Sequence, residues 1–71
     1  MTEIVECYSG HEYAQRPTAL WWEGQRLVIE AIESEWRFPG GKQFRVRVVA
    51  GHRFELLYAE REGKWRVSPA G

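Results

Sequence analysis

The feature that most constrains this chain is a period-2 alternation of apolar and polar residues, which turn residues interrupt about every ten positions. In the segment 42–49, KQFRVRVV, large apolar residues alternate with Arg45 and Arg47. Such alternation is typical of strands that turn one face to a core and the other to water. The pattern predicts an all-β fold of five to six antiparallel strands in a meander, forming a strongly bent sheet or a small SH3-like barrel.

The length of 71 residues fits one small domain over residues 1–71. We expect an N-terminal segment (1–15) containing an edge strand and a loop, followed by a meander core (16–68). Four Trp, three Tyr and three Phe supply the burial that a short chain needs. The single cysteine, Cys7, excludes an intramolecular disulfide and favours a reducing compartment. With neither a membrane-length apolar run nor a signal-like start, the expected location is cytoplasmic, without membrane contact.

The charge is balanced overall but unevenly distributed. Residues 1–35 contain seven Glu and two Arg, a balance of −5, and residues 36–71 contain eight Lys or Arg and three Glu, a balance of +5. This asymmetry indicates either a nucleic-acid site or two oppositely charged strands lying side by side. The chain also lacks Asp and Asn, and depletion of a thermolabile amide is typical of a thermophilic source.

The first hairpin is predicted around a type II′ turn at Gly24–Gln25, which places Trp22 opposite Leu27 and Glu23 opposite Arg26. The apolar parity then changes, which predicts a bulge near Glu30–Ala31 that bends the strand.

The second turn is predicted at Pro39–Gly40, with Trp36 opposite Phe44. A third turn at residues 50–52 requires a left-handed Gly51 and places Val48 opposite Phe54. A fourth turn at residues 60–63 places Tyr58 opposite Trp65 and Leu56 opposite Val67. Together these registers predict an interior formed by Leu20, Trp22, Leu27, Ile29, Ile32, Trp36, Phe44, Val46, Val48, Phe54, Leu56, Tyr58, Trp65 and Val67.

The same registers turn the arginines of the central strand outward. They predict a structural charge ladder of Glu33, Arg47 and Glu55, with a second pair formed by Glu35 and Arg45. Opposite charges across neighbouring strands contribute about 0.2–1 kcal/mol each. Arg45 and Arg47 are therefore interpreted as the solvated, neutralised face of the sheet. The cations without a predicted partner are Arg37, Lys42, Arg53, Arg61, Lys64 and Arg66.

A candidate binding surface consists of apolar residues on the predicted outward face, namely Trp21, Val28, Val49 and Leu57. Such a set predicts contact with a protein partner or a second copy of the chain. Together with Arg66, Trp21 also fits an alternative, an aromatic and basic surface for single-stranded nucleic acid.

Catalytic and metal chemistry find little support in the sequence. Cys7 with His11 gives only two ligands, fewer than a zinc site requires, and a Cys–His pair lacks an orienting third group. His52 falls in a predicted turn. We therefore expect no catalytic residue, no metal, no cofactor and no small-molecule ligand.

The run from Arg16 to Trp65, about fifty residues, resembles a bacterial family of small uncharacterised β domains, a domain-of-unknown-function family. The matching residues are Arg16-Pro17, Trp22, Gly24, Arg26, Ile32, Trp36-Arg37, Pro39-Gly40, Phe44-Arg45-Val46-Arg47, Gly51, Phe54-Glu55-Leu56, Tyr58 and Trp65. The resemblance implies no established activity, but some relatives accompany error-prone DNA polymerases in the genome. We expect a non-enzymatic, self-associating interaction module; the alternative is a nucleic-acid-binding accessory domain linked to DNA replication or repair.

Overall fold

The computed structural model describes residues 5–9 and 15–70, and within them it contains six strands and no helix. The strands follow the chain in a single antiparallel sheet of order β1-β2-β3-β4-β5-β6. This confirms the predicted all-β meander. The strands are β1 (Val5–Ser9), β2 (Gln15–Trp22), β3 (Gln25–Phe38), β4 (Gly41–Val48), β5 (Arg53–Ala59) and β6 (Lys64–Pro69).

The sheet curls into a half-barrel because β3 is long enough to pair with two different neighbours. Residues 25–28 of β3 pair with β2, and residues 29–38 pair with β4. The sheet thus folds over its own core, and the ring of Trp22 on β2 lies 5.6 Å from that of Phe54 on β5. The strands β1 and β6 end the sheet order and do not pair with each other within the described residues.

The core lies on the concave side of the curled sheet. Burial of each large apolar side chain there contributes about 1.5–3 kcal/mol. The fully buried residues are Val5, Ala19, Leu20, Phe44, Val46, Val48, Phe54 and Leu56. Partly buried residues that pack against them are Cys7, Trp22, Leu27, Ile29, Ile32, Trp65 and Val67. The predicted interior is confirmed for most members, whereas Trp36 is exposed and the buried Val5 and Ala19 were missed.

Trp65 anchors the open end of this core. Its ring lies 4.8 Å from that of Tyr58 and 5.8 Å from that of Phe44, both tilted. Such aromatic pairs contribute about 0.5–1.5 kcal/mol beyond the area that they bury. The pairing of Tyr58 with Trp65 confirms the predicted register of the fourth turn.

The first hairpin turns one residue earlier than predicted. Its two central residues are Glu23 and Gly24, with φ of 51° and 81°, as a type I′ turn requires. Trp22 is therefore opposite Gln25, and Arg26 is opposite Trp21 rather than Glu23. The predicted pairing was wrong by two residues, a shift that leaves each side chain on its predicted face.

The third turn shows the same kind of shift. Val48 N donates to His52 O at 2.9 Å, so the loop is residues 49–51 instead of 50–52. Gly51 has the positive φ that was predicted, 99°. Phe54 consequently lies opposite Val46 instead of Val48, again a two-residue error that preserves the faces.

The strand β3 contains two bulges, of which the sequence indicated only the first. The register shifts between Ile29 and Ala31, as predicted, and shifts again between Ile32 and Ser34. The extra residues are Glu30 and Glu33. A bulge adds one residue to one strand, and a one-residue shift turns all later side chains to the other face.

The two-residue turn at Pro39–Gly40 explains the error at Trp36, because it pairs Trp36 with Gln43. The turn at Pro39–Gly40 forms as predicted, with Gly40 at φ 97° and Phe38 paired with Gly41. Glu35 instead of Trp36 is opposite Phe44. Trp36 therefore lies on the outer face, with 46% of its surface exposed.

No helix formed by the described residues is long and apolar enough to cross a membrane.

Candidate functional site

The outer face of the sheet presents two aromatic side chains close to the β3–β4 turn. Trp36 and Phe38 are 46% and 38% exposed. They are two positions apart on β3, so both point to the same side. Exposed large apolar groups that lie together are typical of recognition surfaces. The Pro39–Gly40 turn, which pairs Phe38 with Gly41 and Trp36 with Gln43, is the structural reason for their position.

Cross-strand neighbours place apolar and basic side chains on the same face. Trp36 is opposite Gln43, Gln43 is opposite Leu57, and Leu57 is opposite Arg66. Residues directly opposite each other in an antiparallel sheet share a face. One row of the outer face therefore runs across four strands from an exposed tryptophan to an exposed arginine.

The adjacent row also begins with an aromatic residue and ends with a cation. It runs from Phe38 through Gly41 and Ala59 to Lys64. A Cβ on Gly41 would lie 3.0 Å from Cζ of Phe38 and would also strike the carbonyl oxygen of Tyr58. The Phe38 ring therefore covers Gly41, which leaves no room for a side chain. We refer to Trp36, Phe38, Leu57, Lys64 and Arg66 as the outer aromatic patch.

The lysines and arginines near the β3–β4 turn and on β6 form no ion pair with a described residue. Of the ten Lys and Arg residues, four form ion pairs: Arg26, Arg45, Arg47 and Arg53. Five of the other six lie on the last residues of β3, the first of β4, the β5–β6 loop or β6, and form no ion pair with a described residue. These five are Arg37, Lys42, Arg61, Lys64 and Arg66. Lys64 and Arg66 share the face of Trp36 and Phe38.

The two bulge residues of β3 hold a network of arginines. Arg47 donates to Glu33 at 2.8 Å and to Glu30 at 3.3 Å. Arg53 donates to the other oxygen of Glu33 at 2.8 Å. Hydrogen bonding and the charge of Arg53, followed by the charge of Arg47, hold the pKa of Glu33 below its usual value against a smaller opposing effect of desolvation. Each bulge thus places a glutamate carboxylate within hydrogen-bond distance of Arg47.

This network corrects part of the predicted charge ladder. The contact of Glu33 with Arg47 is present, but Glu55 binds Arg45, at 2.8 Å, instead of Arg47. Glu35 is opposite Phe44 and forms no ion pair with a described residue. The one-residue register error of the β3–β4 hairpin accounts for the error at Glu35, and the two-residue shift of the third turn accounts for the error at Glu55. Arg53, expected to be unpaired, is bound to Glu33.

A second exposed tryptophan, Trp21, lies in a different environment. Its Nε1 donates to Glu6 at 3.2 Å, and Arg26 donates to both oxygens of Glu6, at 2.8 and 2.9 Å. Hydrogen bonding to Arg26 is the largest cause that lowers the pKa of Glu6, and the Trp21 hydrogen bond adds to it. The same contact raises the pKa of Arg26. We call Glu6, Trp21 and Arg26, from three successive strands, the Glu6 cluster.

The predicted binding surface is divided between two places. Trp21 and Val28 share the outer face of the β2–β3 hairpin, and Val49 N donates to Val28 O at 2.9 Å. Leu57 and Arg66 are paired on the outer face of β5 and β6, in the row that begins with Trp36. The structure therefore brings Leu57 and Arg66 together with an aromatic residue that the sequence assigned to the core.

Two open clefts lie outside the outer aromatic patch. A cleft of about 460 Å³ is bordered by β2 and the first bulge of β3, and one of about 560 Å³ lies between the β2–β3 turn, the β4–β5 loop and the end of β6. The lowered pKa values of Glu6 and Glu33 follow from arginine contacts.

The residues considered for metal or thiol chemistry do not form a site in the part of the chain that the structure describes. Within it, no group of three His, Cys, Asp or Glu is arranged to hold a metal ion. Cys7 is partly buried and packs against the core. His52 lies at the β4–β5 loop, and His11 lies outside the described residues.

Three residues of these surfaces had no sequence signal that singled them out. Glu6 lies on a strand whose register the sequence left open. Glu30 was marked only by the expected bulge, without a partner. Phe38 precedes a Pro-Gly turn, and its outward position depends on the register of that turn. The closely spaced glutamates 30, 33 and 35 on one strand were the available hint of the second bulge.

No protein-family model, no curated protein and no solved structure matches this chain. The resemblance to a bacterial family of small β domains stays a prediction.

Proposed function

We propose that this protein is a non-enzymatic interaction module that recognises a macromolecular partner through the outer aromatic patch. The observation that carries the proposal is the outward position of Trp36 and Phe38 on consecutive outer positions of β3. Exposing two large rings to water is unfavourable by the hydrophobic effect, yet the register of the β3–β4 hairpin places both rings on the outer face. A cytoplasmic setting belongs to the proposal and is supported by the single cysteine.

The character of the patch indicates the chemistry of the partner. The two rings offer flat apolar surface, whereas Lys64 and Arg66 offer positive charge and form no ion pair with a residue in the described part of the chain. A partner that combines flat groups with negative charge complements both features.

Comparing two tryptophans tests whether the patch serves recognition or stability. Trp65 stacks on Phe44 and Tyr58, so Trp65→Ala is expected to lower the free energy of unfolding by about 3–5 kcal/mol, or to prevent folding. Trp36→Ala, with the same loss of atoms, is expected to lower it by less than about 1 kcal/mol. Urea denaturation followed by circular dichroism measures both. If Trp36→Ala is as damaging as Trp65→Ala, Trp36 is kept for packing and the proposal is wrong.

Self-association is a second candidate, favoured by a separate observation. Val28 and Val49 are 45% and 64% exposed and are joined by a backbone hydrogen bond. A second copy of the chain that covered them would remove apolar surface from water. Sedimentation velocity at increasing protein concentration tests this: a dimer that Val49→Ser dissociates supports it, and a monomer at all concentrations excludes it.

A further inference from the structure

We propose that the outer aromatic patch binds single-stranded nucleic acid, with bases stacked on Trp36 and Phe38 and phosphates beside Lys64 and Arg66. This inference rests on the proposed function and names the class of its partner.

The two rings are placed as a stacking platform. Side chains two positions apart on a strand are about 6.7 Å apart along it, so Trp36 and Phe38 form separate supports for two successive bases. The Phe38 ring is held over Gly41, which limits its freedom before any ligand arrives. Stacking of a base on an aromatic side chain contributes roughly 5- to 150-fold in affinity and tolerates any base.

The charges beside the platform are available for phosphates. Lys64 and Arg66 lie at the β6 end of the two rows that begin with Phe38 and Trp36. Neither is within ion-pair distance of a carboxylate of the described residues. A nucleic acid that stacks two successive bases along β3 and then continues across the sheet reaches β6, where Lys64 and Arg66 contact the phosphates of the following nucleotides. This order, bases on a sheet with the backbone beside it, is how single strands are bound on open sheets.

Other partner classes fit less well. A duplex keeps its base faces stacked inside, so it can use the cations but not the two rings. An acidic protein can also use the cations, yet it has no need of two neighbouring flat rings. Single-stranded nucleic acid uses both sets of groups.

The loop between β5 and β6 opposes binding. Glu60 and Glu62 lie in this loop and form no ion pair with a described residue. Their charge repels phosphates near Lys64. Binding is therefore expected to be weak and strongly dependent on salt, and Glu60→Gln with Glu62→Gln is expected to strengthen it.

The test uses fluorescence anisotropy of labelled oligothymidylate and oligouridylate of about sixteen nucleotides, a length within the range that single-strand-binding sites cover. The whole protein is titrated at low salt, with a duplex of the same length as comparison. Trp36→Ala with Phe38→Ala is expected to weaken binding at least tenfold. Trp21→Ala, which removes the other exposed tryptophan, is the matched control and is expected to leave the affinity within about twofold.

The salt dependence tests the phosphate contacts. Each phosphate contact to a single strand contributes about 0.7 to the slope of log affinity against log salt. Lys64→Gln with Arg66→Gln is expected to reduce the magnitude of this slope by roughly 1.4. A variant with the same change in net charge, Arg16→Gln with Lys42→Gln, replaces one cation on β2 and one on the inner face and is expected to keep most of the slope.

The outcomes separate the two proposals. Binding that needs both rings and both cations supports the inference. No binding at low salt, or binding that Trp36→Ala with Phe38→Ala leaves unchanged, overturns it. If Trp36→Ala is nonetheless as stable as expected, the patch still serves recognition and its partner belongs to another class, so only the nucleic-acid assignment fails.

Discussion

Trp21 and Trp36 are both exposed tryptophans on the outer surface of the same curled sheet, with 37% and 46% of their surface in contact with water. Trp21 is engaged by its own chain, because its Nε1 and the neighbouring Arg26 both donate to Glu6. Trp36 lies in a row that ends at Arg66 and contains no carboxylate. Exposure alone therefore does not identify a recognition surface; the partners that the fold already supplies decide what a surface can still bind.

The difference has a simple structural origin. The edge strand β1 places Glu6 beside β2, so its carboxylate spans three strands and reaches Arg26. At the other end of the sheet β6 is the last strand of the described residues, and none of their carboxylates forms an ion pair with Arg66. Charges at a sheet edge are a common way to prevent pairing with other chains. In this protein they also share the outer face with two exposed rings, from which β4 and β5 separate them.

The largest expected effect comes from a substitution at Gly41, beneath the Phe38 ring of the outer aromatic patch. Gly41→Ala introduces a Cβ that strikes the Tyr58 carbonyl and presses on Phe38. The backbone must move, so we expect a loss of about 1–3 kcal/mol in the free energy of unfolding. Gln43→Ala, on the same strand and face, is the control and is expected to stay within about 0.5 kcal/mol. Equal stability of Gly41→Ala and wild type in urea denaturation would mean that Phe38 does not lie over Gly41.

The next effect is a loss of stability at low pH, and it concerns Glu6 and Glu33, the carboxylates that bind arginines. The pKa of Glu33, and that of Glu6, are lowered by arginine contacts in the folded state. The ionised carboxylates therefore stabilise the fold above their unfolded pKa of about 4.3, and this contribution is lost as the pH falls through the lower folded pKa. Urea denaturation from pH 7 to pH 3 is expected to show this decline.

Glu33→Gln is expected to flatten the acid decline, since the amide does not titrate. Glu60→Gln is the control, because Glu60 forms no ion pair with a described residue. It is expected to retain the pH dependence of the wild type. An unchanged decline in Glu33→Gln would show that the Arg47 and Arg53 contacts do not set the pKa of Glu33.

The smallest expected effect comes from a substitution that makes the surroundings of Trp21 resemble those of Trp36. Glu6→Ala removes the acceptor shared by Trp21 and Arg26, which leaves an exposed ring beside an unpaired cation. We expect a gain of about twofold to fivefold in affinity for oligothymidylate, because a second weak stacking site forms. Glu23→Ala, which removes an exposed glutamate of the neighbouring turn, is the control for the change in net charge. Equal gains in both variants would assign the effect to net charge alone.

The sequence predicted the fold class and most of the core because these depend on alternation, and alternation survives register errors of two residues. The turns at residues 24 and 51 were displaced, yet Leu20, Val46 and Leu56 lie inside as predicted. The bulge at Glu33 was missed because the predicted pairing of Trp36 with Phe44 gave positions 32 and 36 the same face. The two-residue turn places Trp36 outside, and the extra residue lets Ile32 still pack against the core.

The candidate site follows from the register of the β3–β4 hairpin. The predicted pairing of Trp36 with Phe44 placed Trp36 in the core. The observed pairing of Trp36 with Gln43 places Trp36 and Phe38 outside, on the face of Leu57 and Arg66, which the sequence did identify as exposed. The sequence thus predicted half of the patch and misplaced its aromatic half.

The indole N–H resonances of the four tryptophans provide the most direct test of the contrast between Trp21 and Trp36. Each can be assigned by single substitution in ¹⁵N-labelled protein and followed during titration with oligothymidylate. The structure predicts that the Trp36 signal shifts or broadens, while that of Trp21, whose N–H is bonded to Glu6, does not move. Movement of the Trp21 signal with a stationary Trp36 signal would contradict the outward platform and place binding on the opposite region.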